Sequence, residues 1–167
     1  MSLHGHSVQF YNDGIFLTQS VARFITDGLQ ANETVIIVGS AQHREDFQRV
    51  LSPEQIAHDM VHFFDAEDQL SKFMVAEWPS ELRFRRVVDG MLAQARQPGP
   101  VRIFGEMVTV LWARGYTWAA LRLEALWSKL LDEHCFALLC AYPMSNLSTG
   151  HKSFHAISRL HIHVLNQ

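Results

Sequence analysis

Two hydrophobic patterns alternate along this chain. Short apolar runs bounded by turn residues are typical of buried strands, whereas apolar residues spaced three or four apart are typical of amphipathic helices. The strand-like runs cover residues 8–11, 34–38, 61–64, 101–104 and 136–142, with an edge strand at 163–165. The helix-like stretches cover residues 15–30, 41–51, 66–75, 81–95, 106–111, 116–131 and 154–160, with a single helical turn at 54–59.

The alternation of strand and helix predicts an α/β fold. We expect a three-layer arrangement, with a mainly parallel central sheet of about five strands and helices on both of its faces. The run 34–38 is β-branched and almost wholly apolar, as expected for a central strand covered on both sides. No linker-like segment or internal repeat divides the chain, so residues 1–167 are expected to form one domain.

Composition and charge exclude several classes of protein. The chain has 14 basic and 17 acidic residues, a formal net charge of −3 and no basic block, so nucleic-acid binding has no electrostatic support. No apolar run is long enough to span a bilayer, and the first residues lack the pattern of a signal peptide. We therefore expect a cytoplasmic protein without membrane association.

The stretch 101–115 places a carboxylate where a predicted strand meets a predicted helix. Gly105 ends the apolar run, and Glu106 opens the helical pattern. One interpretation is that Glu106 stabilises the start of its own helix, because helix N-termini favour negative charge. The other is that it contacts a ligand, because ligands of open α/β sheets bind at the carboxyl ends of the strands.

Polar side chains also follow the other predicted strands. They are Asn12, Asp13, Ser40, Asp65 and Tyr142. These residues form one ligand site only if the strand order brings them together, and otherwise they serve as caps and turns. His43, three residues after Ser40, is a further candidate for this site.

Glu124 lies in a predicted helix whose neighbouring positions are partly apolar. A carboxylate there needs a partner or a place at a pocket edge, and we expect an ion pair with Arg102, Arg122 or His43. Trp112 and Trp127 have two interpretations. They line an apolar cavity at the strand ends, or they fill the core, which is the commoner role for tryptophan.

Motifs for metal, cofactor or catalysis are sparse. The two cysteines, Cys135 and Cys140, form no CxxC pair, and Cys140 is expected to be a buried, inert thiol. We predict no metal site; the residues nearest to a metal-binding pattern are His6 and the HxH pair His161 and His163. No GxxxxGK[ST] or GxGxxG motif and no catalytic triad is present, so we predict no cofactor and no enzymatic activity.

Blocks spread over the whole chain resemble a known family, the MEDS domain, which is a sensory domain of methanogen and methylotroph regulators and is also attached to histidine kinases. The matching blocks are HSVQFYND at 6–13, ETVIIVGSAQHR at 33–44, FFDAEDQLSKFM at 63–74, VRIFGEMVTVLWARG at 101–115, AALRLEALWSKL at 119–130, FALLCAYP at 136–143 and HIHV at 161–164. The GEM, LEALW and LLCAYP blocks are specific in combination.

The resemblance implies a fold similar to RecA and KaiC ATPases without the phosphate-binding loop, and a non-catalytic sensory role with hydrocarbon derivatives as proposed ligands. The positions that fall in its blocks include His6, Glu106, Glu124, Tyr142 and His161. Since no kinase or DNA-binding segment accompanies these blocks, we expect the signal to pass to a separate protein, such as a histidine kinase or another regulator.

Two further functions follow from different premises. The first is a protein-interaction module in a two-component-type pathway, whose nucleotide-binding fold is vestigial. The second is an enzyme with residual nucleotide chemistry. The missing phosphate-binding loop argues against this function. A homodimer is favoured over a monomer, because Phe10, Trp78 and Trp118 lie near chain breakers rather than inside regular apolar stripes.

Overall fold

The computed structural model describes residues 5–95, 99–147, 151–161 and 163–166. Within these residues the chain forms a six-stranded sheet and a separate two-stranded hairpin. The sheet strands are β1 (Gly5–Tyr11), β2 (Thr34–Gly39), β3 (Val61–Asp65), β6 (Val101–Gly105), β7 (Phe136–Pro143) and β8 (His163–Asn166). The hairpin strands are β4 (Met74–Val75) and β5 (Trp78–Pro79).

All pairings in the large sheet are parallel, and its strand order is β3-β2-β6-β7-β1-β8. The α/β fold with a parallel central sheet is therefore confirmed. The predicted edge strand near the C-terminus is the sixth strand, which lies beside β1 at the edge of the sheet.

Helices fill the connections between the strands. They are α1 (Gly14–Gln30), α2 (Ala41–Val50), α3 (Pro53–Ile56), α4 (Ala66–Phe73), α5 (Glu81–Ala95), α6 (Met107–Ala113), α7 (Thr117–Glu133) and α8 (His151–Ser158). The helix predicted over 66–75 ends at Phe73, because Met74–Val75 pairs with Trp78–Pro79 as the hairpin. Among the described helices, none is long and apolar enough to cross a membrane.

Side chains on alternate positions of the strands divide the core into two layers. In β2, Val35 and Ile37 pack with α1 and α2, whereas Ile36 and Val38 pack with the layer formed by α4 to α7. Because successive side chains of a strand point to opposite faces, one apolar strand supplies both layers. The confirmed architecture is thus a sheet covered by helices on both faces.

The helices that follow two neighbouring strands lie on opposite faces of the sheet. After β2 it enters α2 on one face of the sheet, and after β6 it enters α6 on the other. The carboxyl ends of these adjacent strands therefore open a crevice of the kind in which α/β sheets bind ligands.

Candidate functional site

Five polar side chains meet inside the layer between the sheet and α7. We call them the interior cluster; they are His6 from β1, Glu124 from α7, Cys140 and Tyr142 from β7, and His161 just before β8. All five are buried. The pairing of β1 with β7 matches Val8 with Cys140 and Phe10 with Tyr142, so even-numbered positions of both strands face α7.

The carboxylate of Glu124 lies at the centre of the interior cluster. Its Oε1 accepts a hydrogen bond from the Tyr142 hydroxyl at 2.6 Å. Its Oε2 lies 3.0 Å from Nε2 of His6 and 3.4 Å from Nε2 of His161. The Sγ of Cys140 lies 3.6 Å from the same oxygen. One carboxylate oxygen thus faces three potential metal ligands or proton donors.

Outer contacts fix the orientation of both imidazoles. Nδ1 of His161 donates to the carbonyl of Ile157 at 2.7 Å. Nδ1 of His6 lies 3.1 Å from Oγ of Ser128, whose hydroxyl donates to the carbonyl of Leu160 at 3.4 Å. Because the Ser128 hydroxyl donates its proton to that carbonyl, Oγ of Ser128 accepts from Nδ1 of His6. Both rings therefore direct Nε2 at the carboxylate, and Nε2 of His161 is buried without a hydrogen-bond partner among the described residues.

Burial sets the charges in the interior cluster. Burial opposes ionisation of Glu124, but the imidazoles of His161 and His6 outweigh it and hold the pKa of this carboxyl well below its usual range. Burial lowers the pKa of His6 against the pull of Glu124. Burial and the carboxylate together raise the pKa values of the Cys140 thiol and the Tyr142 hydroxyl. The cluster therefore holds the charge of one carboxylate inside the protein core.

A second cluster lies at the crevice between the carboxyl ends of β2 and β6. We call it the rim cluster, and it consists of Ser40, His43 and Glu106. The Oε2 of Glu106 accepts from the backbone N–H of Ser40 at 2.9 Å, and its Oε1 is hydrogen-bonded to Nδ1 of His43. This hydrogen bond raises the pKa of His43, although burial opposes the shift. Glu106 precedes α6 but makes no capping hydrogen bond to that helix, so it binds across the crevice instead.

The remaining predicted residues are dispersed. Asp13 caps α1 through Phe16, and Asp65 caps α4 and pairs with Arg44 at 2.6 Å. Asn12 is exposed at the end of β1. The structure thus joins Ser40 and His43 to Glu106 but gives Asp13 and Asp65 local capping roles. Ligand binding by any of these residues stays a prediction.

The two tryptophans predicted to line a cavity or fill the core, Trp112 and Trp127, are buried. Trp112 packs edge-on against Tyr142, with ring centroids 5.8 Å apart. Trp127 packs edge-on against Phe84 and Phe136 in the core, at 4.9 and 6.2 Å. Trp127 thus has core neighbours on two sides, whereas Trp112 borders the interior cluster.

The partners expected for Glu124 are wrong. Arg102 pairs with Glu33, Arg122 pairs with Glu81 at 3.1 Å, and His43 pairs with Glu106. Glu124 instead meets imidazoles from the two ends of the chain. The reason is that β8 pairs beside β1, which brings His161 next to His6, with ring centroids 3.9 Å apart.

A cavity of about 770 Å³ opens at the amino ends of β1 and β7 and against the end of α7. His6 and Ser128 line it and also belong to, or support, the interior cluster. Its apolar lining is formed by Pro100, Val101, Leu131, Phe136, Ala137 and Leu160. We call it the amino-edge cavity; it lies at the amino ends of the strands, whereas the rim cluster lies at their carboxyl ends.

The sequence from residue 5 to residue 161 matches the model of a family described as MEDS, the methanogen/methylotroph, DcmR sensory domain. The chain belongs to the MEDS family. The resemblance seen in the sequence blocks is thereby confirmed, and membership of a family of sensory domains indicates a sensory role for this MEDS domain. A comparison with curated proteins gave no match.

Sequence reasoning missed Cys140 and Ser128 as site residues of this MEDS domain. Cys140 is buried, as expected, and burial raises the pKa of its thiol, but the sequence did not show that its Sγ lies 3.5 Å from Nε2 of His6. The two-residue spacing of Cys140 and Tyr142 was a usable signal, because it places both side chains on one face of a strand. The HxH spacing was misleading, since β8 begins at His163, which is exposed, and His161 precedes the strand.

Proposed function

We propose that this MEDS domain is a non-catalytic sensor that binds a small, largely apolar molecule, and that the amino-edge cavity is its binding site. The observation that carries the proposal is the cavity itself. Its volume of about 770 Å³ is within the range of small-molecule sites, and most of its lining is apolar. A hydrocarbon derivative, the ligand class that the family resemblance implies, suits such a lining.

The polar groups of the cavity support the same proposal. Small-molecule sites combine an apolar lining with a few fixed hydrogen-bonding groups. His6 and Ser128 supply such groups, and both are held by outer contacts. A ligand with one hydroxyl, carbonyl or amine group would contact them there, while its hydrocarbon part packs against Leu131 and Phe136.

Helix α7 offers a route from the cavity to the surface. Its last turns line the cavity through Ser128 and Leu131, and Trp118 stands at its opposite end with 77% of its surface exposed. At about 1.5 Å of rise per residue, these positions lie roughly 15–20 Å apart. We propose that a shift of α7 on ligand binding alters the surface around Trp118, where a histidine kinase or another regulatory protein docks.

A homodimer is the second form of output that we propose. Of the three aromatic residues that motivated it, Phe10 is buried in the core, whereas Trp78 and Trp118 are exposed. Sedimentation equilibrium of the wild type, Trp78→Ala and Trp118→Ala tests this form. A single species of 19.1 kDa for the wild type, with and without ligand, would exclude the dimer.

The alternative function is an interaction module that binds no small molecule. The rim cluster is an alternative ligand site, because ligands of α/β sheets bind in crevices such as the one between β2 and β6.

We also propose that the domain does not hydrolyse ATP, because the phosphate-binding loop is missing. Phosphate release that Glu106→Gln abolishes would contradict this.

The test is a thermal-shift screen with short-chain alcohols, ketones and amines. A ligand that binds the native state raises the melting temperature by mass action. Leu131→Trp fills the cavity, and Leu121→Trp is its control, because both leucines are partly buried residues of α7 packed against the same core layer.

A shift seen in the wild type and Leu121→Trp but lost in Leu131→Trp supports the amino-edge cavity. A shift lost only in Glu106→Gln moves the site to the rim cluster. Absence of any shift across the panel favours the interaction module.

A further inference from the structure

We propose that the interior cluster is a binding site for a divalent transition-metal ion of the zinc type. The four ligand atoms are Nε2 of His6, Nε2 of His161, Oε2 of Glu124 and Sγ of Cys140. His6 belongs both to this site and to the lining of the amino-edge cavity, but the proposal does not depend on a ligand in that cavity.

The distances between these four atoms suit tetrahedral coordination. They all lie within 4.8 Å of one another. The Glu124 oxygen lies 3.0 Å from the His6 nitrogen, 3.4 Å from the His161 nitrogen and 3.6 Å from the Cys140 sulfur. The His6 nitrogen lies 3.5 Å from the Cys140 sulfur. Zinc bonds of about 2.0 to 2.3 Å place tetrahedral ligand atoms roughly 3.3 to 3.8 Å apart. Four of the six separations are thus close to the tetrahedral values, and the other two lie within 4.8 Å.

The outer contacts prepare the ligand atoms for a cation. Metal-binding imidazoles almost always donate their second N–H to a carbonyl, carboxylate or other acceptor. Here Nδ1 of His161 donates to Ile157, and Nδ1 of His6 donates to Ser128. Each Nε2 therefore keeps its lone pair for the ion. The Tyr142 hydroxyl binds only Oε1 of Glu124, which leaves Oε2 for the metal.

A buried imidazole nitrogen beside the carboxylate also supports a cation site. Within the part of the chain that the structure describes, Nε2 of His161 is buried without a hydrogen-bond partner, and it faces the carboxylate oxygen at 3.4 Å. A lone pair and a carboxylate at that distance repel each other unless a cation lies between them. A buried polar atom that native structures leave unsatisfied calls for such an explanation. A proton on His161 is the competing explanation.

The ligand types indicate the class of metal. Two imidazoles, one thiolate and one carboxylate favour zinc over calcium or magnesium, which prefer oxygen ligands. Four protein ligands in a fully buried site are typical of a structural centre, since catalytic sites keep an open position. Binding replaces the S–H bond of Cys140 with a sulfur–metal bond, and the proton leaves to the solvent buffer.

The test is a titration of untagged wild-type protein with Co²⁺ after removal of metals by a chelator. Four-coordinate cobalt gives intense visible absorption, and a thiolate ligand adds a charge-transfer band in the near ultraviolet. We expect saturation near one equivalent, displacement of the cobalt by Zn²⁺, and a melting temperature that rises with Zn²⁺ and falls with the chelator.

Matched variants test the assignment of the ligands. Cys140→Ser removes the charge-transfer band, whereas Cys135→Ser, which changes the exposed cysteine, leaves it intact. His161→Gln weakens cobalt binding by at least about tenfold, whereas His163→Gln, at an exposed position, leaves it unchanged.

Folded wild-type protein that takes up no cobalt would overturn the proposal and leave a proton as the occupant. Equal cobalt spectra for Cys140→Ser and Cys135→Ser would also overturn it. Where a site variant fails to fold, the wild-type titration decides. Failure here would not affect the thermal-shift result for the amino-edge cavity, because that assay measures the binding of organic molecules and not of a metal ion.

Discussion

The interior cluster and the rim cluster each centre on a glutamate that faces an imidazole, but they differ in their access to water. Glu124 is fully buried and His6 is 3% exposed, whereas His43 is 26% exposed beside the buried Glu106. In the interior, protein groups or a bound ion must satisfy every lone pair. At the rim, water shares that task. The same pair of residue types therefore has a much larger energetic consequence inside the fold.

The two clusters also differ in what positions their side chains. The interior cluster is built largely on the faces of regular elements, β1, β7 and α7, which the core holds in place. In the rim cluster, Ser40 and Glu106 lie in the turns after β2 and β6, and His43 lies in the first turn of α2. Sites on regular elements are more rigid than sites on loops. We therefore expect substitutions in the interior cluster to lower the free energy of unfolding more than substitutions in the rim cluster.

The largest expected effect is that of Glu124→Gln. In a buffer that contains Zn²⁺, this variant should lose about 3 kcal/mol or more of unfolding free energy, because it removes the buried charge that the proposed ion and the two imidazoles face. Chemical denaturation monitored by circular dichroism measures the loss. A loss below about 1 kcal/mol would mean that the two clusters do not differ as proposed.

Tyr142→Phe should have the next largest effect. It removes the hydroxyl that donates to Oε1 of Glu124 and leaves a buried carboxylate oxygen without its donor. A hydrogen bond to a charged group contributes about 2 kcal/mol. The control is Tyr116→Phe, which removes a hydroxyl outside the cluster and should cost much less in the same denaturation assay.

Glu106→Gln should cost about 1 kcal/mol or less, because its partner His43 is partly exposed and solvent screens the pair. The backbone N–H of Ser40 keeps an acceptor, because the amide oxygen of the introduced glutamine can replace the carboxylate oxygen. The measurement is again chemical denaturation, performed beside Glu124→Gln. Equal losses in the two variants would contradict the comparison between the clusters.

The smallest effect is a pH dependence at the rim. The hydrogen bond to Glu106, together with the charges of Glu106 and Asp46, raises the pKa of His43 above its ordinary value, against the effect of burial. The stabilisation by this pair is therefore complete below the unfolded-state pKa of about 6.5 and disappears as the pH rises through the raised value.

The experiment compares the unfolding free energies of the wild type and His43→Gln from about pH 6 to pH 8. We expect the difference between the two proteins to be largest at the acidic end and to shrink towards the alkaline end. A difference that stays constant or grows with pH would show that the pair contributes no charge-dependent stability.

The sequence by itself determined the local elements and the family. Apolar periodicity records which face of a helix or strand is buried, so the strands, the helices and their layers could be predicted. Short-range chemistry gave Asp13, Ser40 and Asp65 as caps, because a cap bonds a backbone group only a few residues away. The blocks containing Glu106 and Glu124 pointed to the MEDS family, which the match over residues 5–161 confirms.

Only the tertiary structure decided which elements are neighbours. Periodicity carries no information about strand order, so it could not show that β2 lies beside β6 and brings His43 to Glu106. Nor could it show that β8 lies beside β1, which places His161 against His6 from opposite ends of the chain. The partners of Glu124 were mispredicted for the same reason: an isolated polar residue on an apolar face needs a partner, but its own sequence neighbourhood does not specify which element supplies it.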